Sequence, residues 1–149
     1  MKLNWLGTAG FWIKSSQGEI LFDPFFFLWR TAARSPYKPD DFANVEHIFL
    51  GHGHFDHAFD VPAILQKTDA DVFAPGLTGH LLRMRGAPPE RILKTTTNEY
   101  LFKPLKVRAF KSDHVHFDKD LVVSTAQRCG LKHCAEVIGL GVSYPKGSA

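Results

Sequence analysis

The chain has 149 residues, 44% of them hydrophobic and 22% charged, with 18 Lys and Arg against 15 Asp and Glu for a formal charge of +3. That length fits one domain or a piece of one, and the composition excludes a disordered or low-complexity chain. The weak, scattered positive charge argues against a nucleic-acid partner, and no apolar run reaches the roughly 20 residues that span a bilayer, which argues against a membrane partner.

Residues 2–7 (KLNWLG) and 10–16 (GFWIKSS) alternate apolar and polar side chains, and 19–23 (EILFD) follows the turn signal SSQG. The pattern predicts three strands in a meander with one buried face. The start carries no cleavage-site pattern, and two cysteines, Cys129 and Cys134, make no disulfide framework. A reduced, cytoplasmic setting is expected. Asp23-Pro24 closes the third strand, and residues 25–45 then lack a period and hold Pro36 and Pro39, which predicts a long loop. Its run PFFFLWR reads first as aromatic packing in the core or a subunit contact and otherwise as the lining of a substrate cleft, with Arg30 and Arg34 as candidates for holding an anion.

A short apolar strand, HIFL, runs into GHGHFDH, and VPAILQKT reads as a helix with Asp60 as its N-cap and Pro62 in its first turn. Next come a strand at ADVFAP, a helix at GLTGHLLRMRG closed by Gly86, and a strand at RILKT. TNEY reads as a turn, and LFKPLKVRAF as two short strands or one bent at Pro104. KSDHVHFDKD is a second histidine-bearing loop, LVVSTAQRCGLKHCAEV fits helix or loop, and VIGLGVSY fits a last strand. The recurring order of strand, polar loop and helix predicts an α/β (α+β) fold with its site at the carboxyl ends of strands.

The densest chemistry lies in His52, His54, Asp56 and His57, four possible ligands in six positions at a strand exit. Neutral imidazoles and carboxylates suit zinc and similar cations. His52 and His54 lie two apart, so an extended backbone turns both rings to one side, and Gly51 and Gly53 let the chain bend. Cys129, His133 and Cys134 could also be read as a thiol metal site, but small buried or idle thiols are the simpler reading.

His52-x-His54-x-Asp56-His57 resembles the HxHxDH signature of the metallo-β-lactamase superfamily. WLGTAGFWIKSSQGEILFDPF resembles that superfamily's opening strands, especially in small metal-dependent hydrolases related to L-ascorbate-6-phosphate lactonase, and VRAFKSDH resembles the strand that delivers a later histidine. The resemblance runs from Lys2 to about Asp118. It implies that His52, His54 and His114 (with His116 as rival) hold a first metal, that Asp56 and His57 serve a second, and that Asp23 orients a ligand. It also implies one or two divalent ions, zinc with manganese or iron as alternatives, and a hydrolase that turns a metal-bound hydroxide on a lactone, ester or phosphoester. Asp56 would be the catalytic carboxylate. An RNA-processing nuclease of the same superfamily is a second reading, disfavoured by the modest charge. A metal-binding domain without catalysis is a third.

The superfamily fold is an αββα sandwich of two similar halves, and its later bridging Asp and final His have no match here. The sequence therefore reads as one incomplete domain over 1–149, the N-terminal half or a truncated version. The alternatives are a short form completed by a second chain and a reduced sheet with one metal. An exposed apolar sheet face would favour a homo-oligomer or a complementing chain beside the small-molecule substrate.

Overall fold

The computed structural model describes residues 1–26, 35–102 and 105–111. Arg30, Arg34, Pro104, His114, His116, Cys129, His133, Cys134 and the expected last strand lie outside the described residues.

Strands β1 (Lys2–Gly7), β2 (Gly10–Ser15) and β3 (Gly18–Phe22) pair antiparallel in sequence order, as the alternation of their residues predicts. β4 (Val45–Phe49), β5 (Asp71–Ala74) and β6 (Ile92–Lys94) then add in parallel, giving a mixed six-stranded sheet in order β1-β2-β3-β4-β5-β6. Parallel neighbours need crossovers, and these bring the carboxyl ends of β3 to β6 to one edge. Three backbone bonds carry the ladder one residue past the strand ends. Asp23 N donates to Phe49 O (2.9 Å), Leu50 N to Phe73 O (2.9 Å) and Thr95 N to Ala74 O (2.8 Å).

Successive residues on each central strand face opposite sides, so each strand feeds two cores. Leu21, Ile48 and Val72 face the larger one, with Val61, Ile64, Leu65 and Leu82 from the helices and Phe42 from the β3–β4 connection. Ile20, Phe49 and Phe73 face the other, beneath the hairpin of β7 (Glu99–Phe102) and β8 (Leu105–Arg108). The hairpin is a separate two-stranded sheet packed over this face, and it corrects the expectation of a turn at TNEY. Glu99 and Tyr100 are strand residues, because the Tyr100 ring packs on Phe49 and Phe73 at 5.7 and 5.0 Å. The expected loop over 25–45 also holds structure. A 3-10 turn, Pro39–Phe42, drives Phe42 fully out of solvent. On the hairpin's face of the sheet, Leu3 and Trp5 on β1 and Phe11 on β2 stay exposed.

Three helices follow β4 and β5: α1 (Phe55–Ala58), α2 (Val61–Leu65) and α3 (Gly76–Met84). None of the described helices is long and apolar enough to cross a membrane. α3 ends as its sequence predicts. Gly86 takes φ +86°, Gly86 N donates to Arg83 O and Ala87 N to Leu82 O, both at 3.0 Å, which satisfies carbonyls that the helix end leaves free. Asp60 does stand at the N-cap of α2, but its side chain does not cap the helix. Pro62 removes one of the two amides a cap would serve, and the carboxylate instead accepts a hydrogen bond from Phe26 N at 2.8 Å.

His47 on β4 is a histidine outside the cluster. Its ring lies 4.0 Å from that of Phe102 under the hairpin, and its Nδ1 is buried with no hydrogen bond from the described residues. Burial lowers its pKa below the ordinary 6.5, against the upward pull of Asp71 and Glu46. The unfolded chain therefore binds this proton more readily than the folded one, so stability falls as pH drops from 6.5 through the folded-state value. Denaturant titrations between pH 7 and 5 should show this slope, and His47→Phe should flatten it; an unchanged slope would refute the assignment.

Candidate metal centre

The site forms where β3 and β4 end side by side. Asp23, directly after β3, adopts φ +42°, a left-handed conformation that Asp tolerates better than most residues. This turns its carboxylate toward the neighbouring strand end. Asp23 Oδ1 accepts a hydrogen bond from Gly51 N at 2.8 Å and lies 3.2 Å from His57 Nδ1. A Cβ at residue 51 would sit 3.3 Å from Asp23 Oδ2, so glycine leaves the carboxylate its room.

Past Gly51 the chain passes His52 in an open loop and closes into one helical turn. His57 N and Ala58 N both donate to His54 O at 3.0 Å. The turn sets His54 at its start and His57 inside it, and the His52 ring meets both. The His52 ring then lies 3.9 Å from that of His57 and 4.6 Å from that of His54. Asp56 Oδ2 stands 3.8 Å from His57 Nε2. The structure thus gathers His52, His54, Asp56 and His57 in one loop with Asp23 behind them, while His114 and His116 lie outside the described residues.

The His57 side chain is 14% exposed, less than those of Asp23 and Asp56 beside it. Burial pushes its pKa down, but the Asp23 carboxylate and the Asp56 charge outweigh burial and leave it raised. The Nδ1 contact with Asp23 is close without the alignment of a full hydrogen bond and acts as an electrostatic contact. With Nδ1 turned to a carboxylate, Nε2 is the nitrogen left for a ligand's role.

The donor set fits a divalent ion in kind: the His52 imidazole against those of His54 and His57, a carboxylate at Asp56, and a second carboxylate, Asp23, beside the His57 ring. Among the described residues no three such side chains enclose a common point closely enough to hold an ion by themselves. The reading from sequence missed the role of Asp60, whose partner Phe26 lies 34 positions away.

The family model for the metallo-beta-lactamase superfamily matches residues 3–129, and the chain belongs to that superfamily. It is 40% identical over 74 residues to a protein of Sinorhizobium medicae named as a metal-dependent hydrolase, covering 50% of this chain and 31% of the relative. Another protein of that name, from Pyrococcus furiosus, is 42% identical over 74 residues with the same coverage, so the match spans about a third of these relatives' length. Among solved structures, isothiocyanate hydrolase from Delia radicum gut bacteria superposes with a TM-score of 0.59 at 19% identity, over 87% of this chain and 55% of that one. The metallo-beta-lactamase SMB-1 gives 0.52 at 22% identity, over 71% and 48%. These two likenesses concern the fold, the α/β arrangement expected from the sequence.

Proposed function

We propose that the protein is a metal-dependent hydrolase whose centre is built on His52, His54, Asp56 and His57, with His114 as a further ligand. The observation that carries this reading is the packing of three imidazoles beside Asp56 at the shared end of β3 and β4, with Asp23 on His57. The naming of its relatives as metal-dependent hydrolases supports it. When bound, a divalent ion supplies Lewis-acid polarisation and activates water near neutral pH.

The chain's own residues do the rest. Asp23 fixes the ring of His57 and keeps Nε2 turned toward the centre. His52 and His54 supply imidazole nitrogens from an extended segment and a helix start. Asp56 is the carboxylate placed to orient a nucleophilic water or take its proton. This machinery needs no serine or cysteine nucleophile and suits a lactone, an ester or a phosphoester, with zinc, manganese or iron as the ion and one or two ions per chain. The exposed Leu3, Trp5 and Phe11 support self-association or a complementing chain as part of the same proposal.

The test is metal removal. Chelated protein should hydrolyse generic ester and phosphodiester substrates at background rate, and added Zn²⁺ or Mn²⁺ should restore turnover. Bound metal without turnover on any substrate class would leave only a binding domain. Turnover untouched by thorough chelation would reject the proposal.

A further inference from the structure

Two carboxylates cross-tie the histidine loop to the segment after β3. From that segment, Asp23 reaches the start of the loop at Gly51 N, 2.8 Å away, and continues to His57. From the far end of the loop, Asp60 reaches back to Phe26 N, also at 2.8 Å. Asp60 is only 6% exposed. A carboxylate that deep is costly unless it is hydrogen-bonded, and a bond from a backbone amide to a charged acceptor is a strong one.

We infer that Asp60 is a positioning residue of the candidate metal centre, holding Phe25 and Phe26 in place so that Asp23 keeps its grip on Gly51 and His57. The inference rests on the metal-centre reading above.

The link is short and stiff. Only Pro24 and Phe25 separate Asp23 from Phe26. Pro24 is fully buried with its φ fixed by its ring, and Phe25 and Phe26 are 7% and 8% exposed. A shift at Phe26 therefore reaches Asp23 with little slack. Asp23 holds a sparsely populated backbone conformation, which persists only where its surroundings impose it. The bond from Asp23 N to Phe49 O imposes it from one side, and the Asp60–Phe26 tie from the other. A second route runs through the Phe25 ring, set edge-on to Phe55 at 5.7 Å; Phe55 lies between His54 and Asp56 in the chain.

The experiment measures Zn²⁺ affinity of the full chain by competition with a chromogenic chelator, together with amide hydrogen exchange at Phe26. Asp60→Ser keeps an N-cap residue on α2 but is too short to reach Phe26 N. It should weaken Zn²⁺ binding by about tenfold, the lower end of what loss of a group supporting a metal ligand costs, and should speed Phe26 exchange. Asp60→Asn keeps an acceptor of the same reach and should stay near wild type on both readouts. Ile64→Val, a core change on α2 whose side chain takes part in neither tie, should lower stability and leave affinity alone. Wild-type affinity in Asp60→Ser, or an equal loss in Ile64→Val, overturns the inference and leaves the metal centre standing. Failure of the wild type to bind Zn²⁺ overturns both. Should Asp60→Ser not fold, the wild type decides: linkage requires Zn²⁺ to slow Phe26 exchange, and exchange indifferent to Zn²⁺ overturns the tie.

Discussion

Replacing His54 by alanine is expected to weaken divalent-metal binding by at least about a hundredfold, the upper end of what losing a mere supporting group costs, and to bring hydrolysis to background. The backbone part of His54 survives the substitution. His54 starts α1 with its backbone carbonyl, which accepts from His57 N and Ala58 N, and its side chain does not cap the helix. Removing the imidazole leaves those bonds intact, so circular dichroism and the thermal midpoint of the metal-free protein should change little. What goes is a nitrogen donor in contact with the His52 ring at 4.6 Å. Equilibrium dialysis of wild type and variant against Zn²⁺ reads the effect directly. Equal stoichiometry and affinity in the two proteins would remove His54 from the centre.

The second large effect concerns the fold beneath the site. Phe42→Ala should destabilise the chain by about 3–5 kcal/mol, the cost of emptying a fully buried aromatic position. Phe42 has no exposure, and its ring meets those of Trp12 at 4.9 Å, Phe26 at 5.4 Å and Tyr37 at 6.1 Å. These neighbours come from β2, from the segment beside the site and from the connection to β4, so little can collapse into the space. Against a usual total of about 5–15 kcal/mol, such a loss leaves a marginal protein. Urea titration would show it as a lower midpoint at similar slope. A shift under about 1 kcal/mol would mean that the connection packs differently from the structure described.

Much of this was legible in the sequence because the determining signals are local. Alternation marked β1 to β3, the Gly86 signal marked the end of α3, and the ligand candidates from His52 to His57 stand so close in sequence that one loop had to carry them together. What escaped were contacts made between distant segments. The 3-10 turn at Pro39–Phe42 is too short to show a period, so a fully buried phenylalanine was lost inside an apparent loop. Tyr100 belongs to a strand because of aromatic partners on β4 and β5, which its own neighbours do not announce. Asp60 reads as a helix cap from its position, and its backbone fills that place. Its side chain goes to Phe26, because the buried amide there needs an acceptor and Pro62 leaves α2 with one fewer amide to serve. Asp23 was expected to orient a ligand only through resemblance; the parallel pairing of β3 with β4 is what sets it beside Gly51 and His57.

X-ray absorption at the metal edge of Zn²⁺-loaded protein shows whether these imidazoles share a divalent cation. The expected result is a nitrogen and oxygen shell with Zn–N at about 2.0–2.1 Å, carrying the outer scattering of at least two imidazole rings, with that scattering reduced in His54→Ala. A spectrum of hydrated zinc alone, or a sulfur shell near about 2.3 Å, would contradict it.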